Sequence, residues 1–179
     1  QTRMARGTRA SLSILLLCSM TLACTQESAQ PLRPYDTPLR SDVELQTELA
    51  ALCRSSMTPV KRAVLVEFSA AWCSDCQRLS EMKQADALAR ELAEWPYLTV
   101  NVGRFDHHRD TLDRLGIESI AHWAILDPAD CDEPIAQWGR IADRTLEVSS
   151  GEARSLTPSD LADWLAAFRK TNLQSPRPG

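Results

Sequence analysis

The pattern of apolar and polar positions in the first half of the chain predicts an alternation of helices and strands. SDVELQTELAALCRSS begins with a capping-box pattern, Ser41 and Glu44, and repeats apolar residues at helical spacing, which predicts a helix over 42–54. The apolar, β-branched run RAVLVEFS predicts a buried strand. Helix-forming residues follow as far as Pro96, so we expect one helix over 73–94.

The second half continues this alternation. YLTVNVGRF predicts a second strand, and DHHRDTLDRLG a short helix that Asp106 caps and Gly116 stops. AHWAILD and PIAQWGR predict a third and a fourth strand joined by the turn PADCDE, and residues 140–156 are polar and irregular. TPSDLADWLAAFRK predicts a last helix, with Thr157 as its cap and Pro158 at its first position. The order α-β-α-β-α-β-β-α contains a parallel βαβ unit and a later hairpin.

Composition and charge narrow the class of protein. The chain has 179 residues, of which 44% are hydrophobic and 25% charged, as in one globular domain with terminal extensions. Its formal net charge is -4, and it has no basic stripe of the kind that binds nucleic acid. We therefore expect no nucleic-acid partner, and we predict a monomer without a cofactor or a bound metal.

The N-terminal segment has the layout of an export signal. In MARGTRASLSILLLCSMTLAC, basic residues precede an apolar run that is too short to span a membrane, and no acidic residue occurs. The sequence around Cys24 resembles the lipobox of bacterial lipoproteins, with Cys24 as the lipid acceptor. The alternative is ordinary signal cleavage after Ala23, which would leave Cys24 as a spare thiol. Several acyl chains on one cysteine would anchor the protein stably.

These features divide the chain into four parts. We predict a signal peptide at 1–23, a lipid-anchored tether at 24–40, a folded domain at 41–170 and a disordered tail at 171–179. The protein would then be exported and attached to the membrane, facing the periplasm or the extracellular side. Disulfide bonds persist in that environment, which affects how each cysteine is interpreted.

Two cysteines stand at the junction between the first predicted strand and the next helix. In AAWCSDCQRL, Cys73 lies at the expected start of the helix and Cys76 follows three residues later. Unpaired backbone N–H groups and the positive end of the helix dipole stabilise a thiolate at this place. The spacing puts the two Cα atoms about 5–6 Å apart, close enough for a disulfide. We therefore predict a reversible dithiol in which Cys73 attacks and Cys76 resolves the mixed disulfide.

The segment VLVEFSAAWCSDC resembles the active-site strand and motif of the thioredoxin superfamily, including Trp72 directly before the first cysteine. The resemblance covers roughly residues 42–170 and extends to exported bacterial thioredoxin-like lipoproteins. It implies a thioredoxin-like α/β fold, with a central mixed four-stranded sheet flanked by helices. It also implies that Glu67 is the family's buried acid, which would carry the proton of Cys76. A surface glutamate on an edge strand is the alternative.

The sequence departs from the superfamily at one loop. The family carries a cis-proline before the strand that faces the dithiol, and aligning SIAHWAILD on this element puts Ala121 at the proline position. Because a cis bond before a non-proline residue is costly, we expect a trans bond and a reshaped loop. The alignment also puts His122 near the dithiol, where it would tune the thiolate or bind a metal, unless it only packs. We expect His107 and His108 to be solvated.

The remaining cysteines of the predicted domain are Cys53, at the end of the first helix, and Cys131, in the hairpin turn. In a thioredoxin fold both places lie at the end of the sheet opposite the dithiol. The resemblance therefore implies a structural Cys53–Cys131 disulfide, and two separate thiols are the alternative.

Together these features predict an extracytoplasmic, membrane-anchored thiol–disulfide oxidoreductase. Its partners would be protein thiols and disulfides or a membrane redox protein. The acidic Asp75 between the cysteines disfavours neighbouring thiolates, which favours a reductase or isomerase over an oxidase. One alternative is a dedicated carrier of electrons or of a soft metal such as Cu(I), and another is a redox-inactive binding module.

Overall fold

The computed structural model describes residues 37–141, 145–147 and 153–172 of the chain. Its helices and strands are, in chain order, α1 (Asp42–Ser56), β1 (Val64–Ser69), α2 (Ser74–Met82), α3 (Asp86–Leu92), β2 (Tyr97–Asn101), α4 (Arg109–Leu115), β3 (His122–Asp127), β4 (Asp130–Gly139), β5 (Thr145–Glu147), β6 (Ala153–Ser155) and α5 (Pro158–Asn172). None of the helices in these ranges is both long and apolar enough to cross a membrane.

Four strands form one mixed sheet in the order β2-β1-β3-β4. β1 pairs with β2 in parallel and with β3 in antiparallel orientation, and β3 and β4 form an antiparallel hairpin. The central strands β1 and β3 are almost entirely buried, as their continuous apolar sequences predict. The predicted α/β fold with a central mixed four-stranded sheet flanked by helices is therefore confirmed.

The predicted helix over 73–94 is wrong in one respect, because the structure divides it into α2 and α3. At the end of α2 the amides of Gln84 and Ala85 bond to carbonyls only three residues back, and Ala85 is extended. This tightening ends the first helix without a glycine or a proline. The break also leaves Lys83 at the end of α2, where its ammonium group reaches the carboxylate of Glu67 in β1.

The connection between β2 and α4 also differs from the sequence prediction. β2 ends at Asn101, because Gly103 and Phe105 adopt positive φ angles that turn the chain. The cap of α4 is His108, in a left-handed conformation, and not Asp106, whose carboxylate instead accepts a hydrogen bond from the Arg104 amide.

The hairpin and the segment after it depart from the prediction as well. Only two residues form the turn between β3 and β4, so Cys131 lies inside β4 and not in the turn. Parts of the region 140–156, which we expected to be irregular, form the antiparallel pair β5–β6. α5 extends to Asn172, two residues into the predicted disordered tail.

Residues 37–40 belong to the predicted tether, yet they contact the sheet. The carbonyl of Thr37 accepts a hydrogen bond from the side chain of Asn101, and the Arg40 guanidinium donates to the carbonyl of Thr99. These contacts lie along β2, so the folded part of the chain begins before the predicted boundary at residue 41. The predicted signal peptide and the rest of the tether, including Cys24, lie outside the described residues.

Candidate dithiol site

The two cysteines of the motif lie together at the N-terminus of α2. Cys73 is the cap residue, in an extended conformation, and its Sγ accepts a hydrogen bond of 3.1 Å from the amide of Cys76. The two residues are joined by a disulfide, with Cα atoms 5.2 Å apart, and both are buried. When the bond is reduced, the helix dipole and this amide will stabilise negative charge on Cys73.

A cavity of about 380 Å³ opens beside the disulfide. It is lined by Trp72, Cys73, Ser74, Asp75, Ile120 and Arg140. The indole of Trp72 is half-exposed, donates a hydrogen bond to the Gly103 carbonyl and lies 6.1 Å from the ring of Phe105. The cavity therefore brings Cys73, Trp72 and Asp75, three of the residues predicted for the site, to one open surface.

The loop before β3 corrects one expectation, because the Ile120–Ala121 peptide bond is cis and not trans. Ala121 is fully buried, and its carbonyl accepts a hydrogen bond of 3.2 Å from the Ile141 amide. Ala121 is therefore enclosed by the core and tied to the segment after β4, contacts that the local sequence does not reveal. The preceding residue, Ile120, lines the cavity beside the dithiol.

His122 is buried behind this loop and is not among the residues that line the cavity. Its Nε2 lies 3.1 Å from Oε1 of Gln137, and a Cβ on Gly139 would come within 2.8 Å of its Nδ1. The ring thus packs closely over a glycine of β4. In the described ranges, no group of three or more histidine, cysteine, aspartate or glutamate side chains is arranged to hold a metal ion.

Glu67 lies on the central strand β1, between Thr99 of β2 and Trp123 of β3, and is 2% exposed. This placement excludes the alternative of a surface glutamate on an edge strand. Its carboxylate accepts hydrogen bonds from the Lys83 ammonium at 2.9 Å to both oxygens, from the Trp123 indole at 3.0 Å and from the Tyr97 hydroxyl. A buried charge requires such partners, so the three donors stabilise the carboxylate.

The Tyr97 hydroxyl is held in its protonated form within this cluster. Burial raises the pKa of Tyr97 well above its ordinary value, and the negative charge and hydrogen bond of Glu67 raise it further. The phenol therefore remains a hydrogen-bond donor to the carboxylate at physiological pH. It also accepts a hydrogen bond of 3.1 Å from Lys83.

Sequence reasoning missed all three partners of Glu67. The sequence pattern places Lys83 in the middle of a long helix, and it places Tyr97 and Trp123 in strands without indicating a partner. One signal was present, because a tryptophan in a strand as apolar as AHWAILD needs an acceptor for its indole N–H. The identity of that acceptor depends on strand pairing, which places Trp123 opposite Glu67.

The structure also brings Cys53 and Cys131 together as a disulfide, with Cα atoms 6.5 Å apart. The bond links the end of α1 to the start of β4. β1 and β3 are antiparallel, so the end of β3 and the start of β4 lie near the start of β1, whereas the Cys73–Cys76 pair follows the end of β1. The Cys53–Cys131 disulfide therefore lies at the end of the sheet opposite this pair.

The expectation for the histidines before α4 is wrong for His108, which is 3% exposed. It has a φ angle of 59°, and its Nδ1 lies 2.7 Å from the carboxylate of Asp42 at the start of α1. His107 remains partly exposed. His108 therefore links two helix N-termini.

These elements define a thioredoxin-like fold that carries a C-x-x-C dithiol at the start of the helix after β1. The structure is similar to the disulphide isomerase of Xylella fastidiosa Temecula1, with a TM-score of 0.54 and 19% identity over 75% of this chain and 95% of that one. It is also similar to the C-terminal domain of DsbD of Neisseria meningitidis in the reduced form, with a TM-score of 0.52 and 11% identity over 74% of this chain and 100% of that one. No protein-family model matches the sequence, and no curated protein matches it significantly. Because the identities are only 19% and 11%, these similarities show that the chain shares the fold of the two proteins and show nothing further.

Proposed function

We propose that this protein is a thiol–disulfide oxidoreductase that exchanges disulfides with protein substrates through Cys73 and Cys76. The observation that carries the proposal is the disulfide-forming pair at the start of α2, beside an open cavity. One of its structural neighbours is a disulphide isomerase, which is an activity of the same class.

In the proposed reaction, the reduced Cys73 thiolate attacks a substrate disulfide. One S–S bond forms as another breaks, and the first substrate sulfur leaves as a thiolate and takes a proton from solvent. Cys76 then attacks Cys73 Sγ in the mixed disulfide and releases the second substrate sulfur. Two electrons pass from the dithiol to the substrate, and the protein is left in the disulfide form that the structure contains.

Glu67 is proposed to accept the proton that Cys76 loses when it becomes the attacking thiolate. Its burial on β1 supports this role, because it places a carboxylate inside the domain, on the strand that leads to the dithiol. Lys83 is 19% exposed, and its ammonium group lies 2.9 Å from this carboxylate. It would balance the charge of Glu67 before the proton arrives.

The proposed direction is reduction or isomerisation. Asp75 lies in the first turn of α2, one residue before Cys76, and lines the same cavity as Cys73. Its negative charge disfavours a thiolate nearby and so makes the dithiol a better electron donor.

The proposed location is outside the cytoplasm, with residues 1–23 removed as a signal peptide and Cys24 lipidated. The apolar run before Cys24 supports this location. Expression of the chain with its leader tests it, because Cys24→Ser should move the protein from the membrane fraction to the released fraction. An unchanged membrane fraction would contradict lipid anchoring at this residue.

The experiment that tests the function is a redox titration of the purified chain against dithiothreitol, with free thiols trapped and counted by mass. We expect a two-electron couple at Cys73 and Cys76 with a potential well below the −120 mV or so of strong oxidants. A Cys76→Ser variant should accumulate a mixed disulfide on Cys73. A pair that does not cycle would favour the binding module, and thiols protected from alkylation by bound Cu(I) would favour the carrier.

A further inference from the structure

The indole of Trp72, which forms one wall of the cavity beside the dithiol, is held by two contacts from the connection between β2 and α4. Its N–H donates to the carbonyl of Gly103, and the ring of Phe105 lies against it, with ring centroids 6.1 Å apart and planes tilted by 57°. Trp72 is 50% exposed and directly precedes Cys73. Because an exposed side chain changes rotamer readily, these contacts fix the position of the wall.

The connection that supplies both contacts is itself tightly held. The side chain of Asn101, at the end of β2, accepts a hydrogen bond of 3.0 Å from the Gly103 amide, and the Phe105 amide bonds back to the carbonyl of the buried Val102. Phe105 has a φ angle of 63°, in the left-handed region that residues with side chains rarely adopt. Such conformations in residues other than glycine are concentrated at functional sites. The chain thus adopts an unfavourable backbone conformation at the residue whose ring contacts Trp72.

We propose that Phe105 is a positioning residue for the dithiol reaction, because its ring holds Trp72 as a fixed wall on which a protein disulfide lies while Cys73 attacks. The inference rests on the proposed function, since it concerns how the same dithiol receives its substrate. Cys73 is 5% exposed, so a substrate sulfur approaches it from the cavity that Trp72 lines. A polypeptide fills more of this cavity than a small disulfide does, and it therefore depends more on the position of the wall.

An aromatic pair of this geometry favours one arrangement by a factor of about two to ten. Phe105→Ala should therefore lower the rate constant for reduction of a peptide disulfide by about twofold to tenfold. The rate constant for a small disulfide and the redox potential of the dithiol should change little, because Phe105 does not line the cavity and acts through Trp72.

The test uses the full chain, reduced beforehand, and measures rate constants with a peptide disulfide and with hydroxyethyl disulfide. Phe168→Ala is the matched control, because Phe168 makes a similar ring contact with Trp95, with centroids 6.2 Å apart, and neither of these residues lines the cavity. Phe105→Tyr should keep the peptide rate of the unaltered chain, since it retains the ring. In a Trp72→Ala background, Phe105→Ala should have no further effect, as expected for a residue that acts through Trp72.

Phe105→Leu serves as a second variant in case the alanine variant does not fold, and it should show a smaller fall for the peptide alone. The inference would be overturned, and the oxidoreductase proposal left intact, by an unchanged peptide rate in the folded Phe105 variant, by an equal fall for both disulfides, or by the same selective fall in Phe168→Ala. A further fall in the Trp72→Ala background would overturn it as well. If the unaltered chain reduces no peptide disulfide at all, the proposed function itself fails.

Discussion

Removal of the Lys83 ammonium should destabilise the domain strongly, because it leaves a buried carboxylate without its cation. Glu67 is 2% exposed, and Lys83 Nζ lies 2.9 Å from both of its oxygens. Removing one partner of a buried ion pair costs about 3–5 kcal/mol. Lys83 is partly exposed, and Tyr97 and Trp123 still donate to the carboxylate, so we expect the lower end of this range, about 3 kcal/mol, for Lys83→Met.

The assay is equilibrium unfolding in guanidinium chloride, followed by tryptophan fluorescence with both disulfides oxidised. Lys170→Met is the matched control, because Lys170 is exposed on α5 and its removal should change the free energy of unfolding by less than about 0.5 kcal/mol. The double variant Lys83→Met/Glu67→Gln should recover about half of the loss, since the buried charge is then gone. A loss for Lys83→Met no larger than that for Lys170→Met, or no recovery of stability in the double variant, would show that Lys83 does not stabilise the buried carboxylate.

Three further predictions concern pH and the second disulfide. Because burial raises the pKa of Tyr97, the contribution of its protonated hydroxyl to the free energy of unfolding is complete below about pH 10 and is lost as the pH rises further. The free energy of unfolding of Tyr97→Phe should therefore decline less steeply above pH 10 or so. The hydrogen bond from the Arg154 guanidinium holds the pKa of Asp160 below its ordinary value, so the contribution of ionised Asp160 to the free energy of unfolding is present above about pH 4 and disappears as the pH falls. Asp160→Asn should therefore make the free energy of unfolding less dependent on pH between about pH 2 and 6. An unaltered pH dependence in this range would contradict this. The bond between Cys53 and Cys131 closes a loop of 78 residues, so replacing both cysteines with alanine should lower the free energy of unfolding by up to about 4.5 kcal/mol. The Cys73–Cys76 pair should still be oxidised and reduced reversibly in this variant. A loss below about 1 kcal/mol would show that the Cys53–Cys131 disulfide does not stabilise the fold.

Features that depend on local sequence could be predicted well. The continuous apolar runs of β1 and β3 predict central strands, and both strands are buried in the sheet. Ser41 and Glu44 predict the N-terminus of α1, because the capping box that they form depends only on local spacing. The position of the dithiol at the start of α2 can likewise be predicted from local sequence, since the C-x-x-C motif directly follows an apolar strand.

Features that depend on distant residues could not be predicted. The partners of Glu67 lie 16, 30 and 56 positions away along the chain, and only strand pairing and the end of α2 bring them together. The break between α2 and α3 has no glycine or proline to mark it. The expectation of a trans bond before Ala121 is wrong, because it uses only the local preference of an alanine, whereas this buried residue also contacts distant parts of the chain such as Ile141.

The strand β4 forms one edge of the sheet, and its sequence bears on how copies of the chain behave when they meet. An exposed edge strand is a template for further strands, and proteins block it with charge, proline and irregular pairing. β4 has all three, since Asp130, Asp132 and Glu133 precede Pro134, and its register shifts opposite the end of β3. A second copy that approached this edge would meet the carboxylates of Asp130 and Glu133 and a proline that has no N–H to donate. The sheet thus ends at β4 in a way that opposes fibre-like growth by edge-to-edge pairing.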